Sequence, residues 1–217
     1  MERGRTLQFV TIIALTICVI GLSIGFAAFS NVLNIKPNAT VSPNSNSLNV
    51  DFSSSQTEVV TGEIIPTLNP VNLIATNAII DNTSAPTISN LNVTFTKPGQ
   101  SAVYEFYAYN DGELDAFLKS IVYSNVTGQN SSKVCTASVG TTDALVQSAC
   151  NGISVKVKVG SESITKGSVA NITNHSLAKK TGEKVIVTIE YDANAQVTDG
   201  DFNVKFGDIA LNYSSVD

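Results

Sequence analysis

Charge is scarce in this 217-residue chain: Asp, Glu, Lys and Arg together make up 14% of it, against roughly a quarter in an average soluble protein. Its surface must therefore be wetted by Ser, Thr, Asn and Gln, which suits an extracellular β-protein. Basic residues number 13 against 18 acidic ones, a net charge of −5. That balance argues against a nucleic-acid partner, because such affinity comes mainly from Lys and Arg displacing counterions.

Histidine is the next shortage, with one in the chain, and tryptophan is absent. Catalytic zinc usually takes three protein ligands with His prominent, and a HExxH helix needs two His four apart. His175, in the polar run 171–176, supplies one and reads as a solvated loop residue. The same shortage leaves Ser-His-Asp and Cys-His chemistry a single base, and the chain contains no G-x-S-x-G, GxxxxGK[ST] or GxGxxG element. We therefore expect no enzyme, and assign no catalytic, cofactor-binding or metal-ligating residue. Carboxylate pairs for glycoside chemistry meet only in a fold, so the sequence leaves them open. Calcium is the more reasonable inorganic candidate. Asp111-Gly112-Glu113 with Asp115, and Asp192 with Asp199 and Asp201, put hard oxygen atoms in turns. Such residues equally serve turns by bonding their own backbone.

What the chain has is a long apolar run near its start. Arg3 and Arg5 precede residues 9–29, which hold no charged side chain. A helix of that length is about enough to cross ~30 Å of hydrocarbon, and the two arginines place its start in the cytoplasm. Either it is a signal peptide cut between Ala28 and Phe29, after the small residues Gly21, Gly25 and Ala27, or it stays as an anchor. Membrane contact through 9–29 is expected before any cleavage. The rest of the chain then faces outside, secreted or at the cell surface.

Cys135 and Cys150 are the only cysteines beyond this segment. Two thiols in an oxidising compartment most simply pair; the alternative is two free buried thiols. From 31 to 55 the chain is rich in Asn and Ser, with Pro37 and Pro43, and shows no helical period.

Beyond that, period-2 alternation dominates. It predicts strands at about 58–65, 71–80, 87–96, 101–110, 115–124, 153–159, 184–191 and 202–213. Turn signals punctuate them at Lys97-Pro98-Gly99, Asn110-Asp111-Gly112, Asn151-Gly152 and Asp199-Gly200. One short helix is expected at 142–150. The pattern describes an all-β, antiparallel sandwich or jelly roll, organised as 1–28 signal peptide or anchor, 29–55 extended segment and 56–217 β-sandwich domain. Eight N-x-[ST] sequons, at Asn38, Asn82, Asn92, Asn125, Asn130, Asn171, Asn174 and Asn212, are candidate glycosylation sites.

Two stretches resemble the TasA and camelysin family of secreted bacterial proteins, whose export segments are cut by a signal peptidase of the SipW type. The first is 21–30, GLSIGFAAFS, and the second is 91–121, LNVTFTKPGQSAVYEFYAYNDGELDAFLKSI. The second carries the family's order of strand, Lys-Pro-Gly turn, strand ending Asn-Asp-Gly, and strand. The resemblance, shared with archaeal bundling pilins, implies a jelly-roll β-sandwich, secretion, and assembly into surface or matrix fibres. It also implies partners: further copies of the chain in a homopolymer, and other surface or matrix proteins. In fibre-forming members the N-terminal segment is thought to add as a strand to a neighbour's sheet. Here the candidate donor runs from Phe29 to about Val50, with apolar Val32, Leu33, Ile35 and Val41; a plain stalk is the alternative. The competing function is a membrane-anchored surface domain that binds a sugar, host or surface-protein ligand. Camelysin-like proteins have been described as metalloproteases, a reading that fails here on ligand count.

Overall fold

Alternation of apolar and polar side chains builds the sheets of this protein, as β11 (Ile153–Val159) illustrates: Ile153, Val155, Val157 and Val159 are buried while Lys156 and Lys158 are exposed. The computed structural model describes residues 47–83, 85–165, 172 and 175–215, all within one unit, Pro43–Asp217. The segment 9–29, the Ala28/Phe29 site, the donor residues Phe29, Val32, Leu33, Ile35 and Val41, and the sequons at Asn38, Asn171 and Asn174 lie outside the described residues. Among the described residues no helix is long and apolar enough to cross a membrane.

Three antiparallel sheets form. The first runs β1 (Val50–Ser53), β8 (Ser101–Asn110), β14 (Gly182–Tyr191), β11, β12 (Glu162–Thr165), with β3 (Thr67–Asn69) pairing the start of β8. The second runs β10 (Lys133–Ala137), β15 (Phe202–Phe206), β7 (Asn92–Phe95), β4 (Ile74–Ala75). The third runs β13 (Ser176–Leu177), β9 (Ala116–Tyr123), β16 (Ile209–Ser214), β6 (Thr87–Ser89), β5 (Ala78–Asp81), β2 (Glu63–Ile64). Inward side chains of all three meet in one apolar cluster that includes Phe52, Tyr104, Phe106, Leu118, Val204 and Leu211. Tyr191 of the first sheet packs edge-on against Phe95 and Phe202 of the second, with ring centroids 5.6 and 5.4 Å away, a preferred aromatic geometry. The result is an all-β, antiparallel, sandwich-like fold.

The expected strands at 87–96 and 202–213 each break in two. Asn90 sits at φ 60 between β6 and β7, a backbone state that Asn tolerates better than most residues. Gly207 separates β15 from β16, and a Cβ there would stand 2.1 Å from the Ser124 carbonyl oxygen. The expected strand 71–80 breaks at Thr76, whose N–H bonds Asn92 O and whose carbonyl accepts the Tyr104 hydroxyl. Most of 58–65 is loop, because Ser53 Oγ accepts the Ser55 and Val60 N–H groups and donates to Glu58 O. Strands β3, β10, β12 and β13 have no counterpart in the sequence reading; each is short. The domain also begins ahead of residue 56, since Val50–Ser53 pairs with β8.

The helix arrives where expected, as α1 (Asp143–Cys150). Thr142 precedes it and is held by Asp199, whose carboxylate accepts from the Thr142 N–H at 2.9 Å and the hydroxyl at 2.5 Å. These two bonds hold the Asp199 carboxyl below its ordinary range. Cys135 in β10 and Cys150 at the helix end form a disulfide, with Cα atoms 6.0 Å apart.

Candidate assembly edge

A sheet edge exposes unpaired N–H and C=O groups, and natural β-proteins blunt most of their edges. Much of the blunting here falls to one excursion: residues 63–75 supply β2, β3 and β4 at the margins of all three sheets, in strands of two or three residues. Pro66 and Pro70 interrupt the run, and proline gives no N–H to an incoming strand. Two more margins are sealed by side-chain amides. Gln147 of α1 donates to the Cys135 carbonyl of β10 at 3.4 Å. Asn82 takes the Phe52 N–H at 2.9 Å and donates to the Phe52 carbonyl at 2.8 Å, occupying both outward groups of that β1 residue.

The start of β1 has no such seal. Val50 lies opposite Asn110, but the Asn110 N–H and C=O are bonded to Thr181 and Lys180 on the other side. The Val50 backbone groups therefore point away from β8, and Leu48, two residues earlier, repeats the orientation. Neither residue's N–H or C=O has a partner among the described residues. The intervening residues are tied down: Gly112 N–H bonds Asn49 O, and the N–H groups of Glu113 and Leu114 bond Ser47 O. Glycine is required at 112, since a Cβ would stand 2.7 Å from Asn49 N. Asn110 fixes this turn from inside, fully buried and donating to the Leu114 and Leu177 carbonyls.

Facing this edge is a second open one. The pairing of β16 with β6 covers Ile209 and Ala210 only; in the same register Leu211 would meet Pro86, which has no N–H to give. Asp208 O accepts from Ser124 N, so alternation turns the Leu211 backbone groups away from β9 and toward the β6 side. Between the two open edges lies a pocket of about 180 Å³ lined by Leu48, Asn49, Val50, Pro86, Leu211 and Tyr213. A larger concavity of about 320 Å³, with exposed Asn90, Asn125, Lys205 and Asp208, lies near Gly207.

The acidic groups do not converge. Asp111 and Glu113 pair with Lys180 at 3.1 and 3.3 Å, Asp115 accepts Lys179 N–H, Asp192 caps Asn194 N–H, and Asp199 holds Thr142. No group of three His, Cys, Asp or Glu residues is placed to hold a metal among the described residues. His175 corrects the sequence reading. Its side chain is only 9% exposed, with Nε2 2.8 Å from Glu183 Oε1. The buried Tyr213 hydroxyl lies against the same carboxylate; burial, then the Glu183 charge, raises its pKa well above the ordinary value.

Of the sequons within the described residues, Asn125 and Asn130 stand exposed on the turn after β9. The amide nitrogens of Asn82, Asn92 and Asn212 are already donating, to Phe52 O, Asn90 Oδ1 and Ser120 Oγ. Comparison with protein-family models, with curated proteins and with solved structures finds no match to this chain.

Proposed function

We propose that this chain is an exported structural protein of TasA/camelysin type, a subunit of an extracellular filament, pilus or biofilm matrix. It assembles with copies of itself by donating the extended segment ahead of its β-domain to a neighbour's sheet. The observation that carries this reading is the unsealed edge at Leu48 and Val50, on a domain whose margins at β2, β3, β4, Cys135 and Phe52 are short or capped. An incoming strand satisfies such an edge through backbone bonds while alternate side chains fill pockets. Residues 29–46 supply apolar Val32, Leu33, Ile35 and Val41 in a stretch whose only charged residue is Lys36.

Several features support export. The Cys135–Cys150 bridge fits an oxidising compartment, and the low charge fits a polar, uncharged surface. A jelly-roll winding belongs to the same reading, supported by the passage of consecutive long strands β8 and β9 from the first sheet to the third. The donor ends before Ser47, because Val50 belongs to β1. In a glycosylating host, Asn125 and Asn130 are the open acceptors.

The test is the state of the exported protein. Mass spectrometry of material recovered outside the cell gives a first residue at or near Phe29, and the protein sediments as polymer. Recovery of monomers that retain residues 1–28 in the membrane contradicts the reading and favours the anchored surface domain.

A further inference from the structure

We infer that the pocket between β1 and β16 is the acceptor slot, and that it takes one large aliphatic side chain from residues 31–36 of a second copy. The inference rests on the assembly reading above and names the place where it happens. Both walls of the pocket carry backbone groups without partners among the described residues, those of Leu48 and Val50 on one side and Leu211 on the other. Its apolar lining belongs to the core: Val50 is 8% exposed and Leu211 2%. The pocket, open on its outer side and with Asn49 in its wall, measures about 180 Å³, against ~150 Å³ for an enclosed cavity that holds a benzene ring, so it has room for one Leu or Ile side chain.

The ladder on offer is short. Asn82 seals Phe52, so an incoming strand has Val50 and Leu48 to pair with. The sequence Val32-Leu33-Asn34-Ile35-Lys36 matches that length, because Pro37 then stops the ladder. Leu33 and Ile35 lie on one face of an extended strand, and pairing at Val50 turns one face of the guest toward Leu211 and Tyr213. The guest strand thereby extends the first sheet and covers the core where β6 stops short at Pro86.

Two variants test this in the exported protein. Val50→Pro removes the outward N–H, which the domain itself does not use, at an edge position where proline is tolerated. Loss of core packing at Val50 lowers the thermal midpoint by several degrees, and the expected result is a still cooperative transition with about a tenfold or greater loss of sedimentable polymer. Separately, protein carrying Ile35→Cys is mixed with protein carrying Pro86→Cys under oxidising conditions. The expected product is a disulfide-linked peptide pair joining position 35 of one copy to position 86 of another, identified by mass spectrometry. Polymer that survives Val50→Pro, with no such linked pair, overturns the slot. If deletion of residues 29–46 still abolishes polymer in that case, strand donation stands and uses another edge; if polymer also survives the deletion, the assembly reading itself has failed. In protein carrying both cysteine substitutions, a linkage formed only within single monomers assigns the slot to the chain's own segment and also overturns the inference.

Discussion

Tyr123 carries a buried hydroxyl with no hydrogen-bond partner among the described residues, so its O–H contributes nothing to offset the loss of water. Tyr123→Phe is therefore expected to leave stability at pH 7 unchanged or raise it by up to about 1 kcal/mol, measured as a shift in the urea midpoint. Tyr104 is the contrast, since its hydroxyl donates to Thr76 O at 3.0 Å; Tyr104→Phe costs about 1 kcal/mol. Burial pushes the phenols of both Tyr104 and Tyr123 up to about 12 from the ordinary 10. A group raised in the fold contributes stability that is whole below its unfolded value and lost as pH rises through the folded one. Stability should accordingly fall between about pH 10 and pH 12, and ultraviolet absorbance should show a fraction of the tyrosines ionising only with unfolding. If those phenols titrate freely below pH 11 in folded protein, the packing around them is wrong. Sequence reasoning at this scale succeeded for inward positions of alternating runs, such as Val185, Val187, Ile189 and Tyr191. It failed for His175, whose partner Glu183 reaches it through a chain reversal that residue types do not announce.

At the scale of elements, β10 and α1 are fastened to each other. The disulfide spans a sequence separation of 15, and Lys133 Nζ donates to the Cys150 and Ile153 carbonyls at 2.5 and 2.7 Å. Replacing both Cys135 and Cys150 by Ser should cost about 3 kcal/mol in the chain-entropy model, seen as a lower urea midpoint that added reductant no longer changes. Gly207→Ala should be more disruptive locally, because the new Cβ meets the backbone of Ser124 rather than a side chain that can swing away. The pairing was legible in the sequence from compartment and cysteine count, and the helix from its position between the two cysteines. The corners at Asn90 and Gly207 were not, because alternation continues on both sides of a bend and hides it. Nor were the amide seals: Asn82 and Phe52 lie thirty positions apart, and nothing in either neighbourhood signals the contact. Asn82→Ala should leave two half-buried backbone groups of β1 unpaired, costing about 1–3 kcal/mol, and should lengthen the open edge.

For the whole molecule, the one histidine is paired with Glu183, and Asp111, Glu113, Asp115, Asp192 and Asp199 are engaged by a lysine and by turns. Among the described residues, an unsealed stretch of sheet edge lies at Leu48 and Val50, at the start of β1. The fold class and the strands β8, β9, β11 and β14 could be read from periodicity. The open edge at the start of β1 could not, because it depends on Asn110 bonding away from β1 and on Pro86 ending β6, both properties of register. Domain boundaries in the sequence reading placed 48–53 with the extended segment for the same reason: an edge strand of four residues does not differ in composition from the linker before it. The central claim is that residues 29–46 join one copy to the next. Its most direct measurement is sedimentation with electron microscopy of the exported protein, intact and with residues 29–46 deleted while Ser47 onward is kept. The account predicts filaments from the intact protein and folded monomers from the deletion, whereas filaments of unchanged yield from the deleted protein would contradict it.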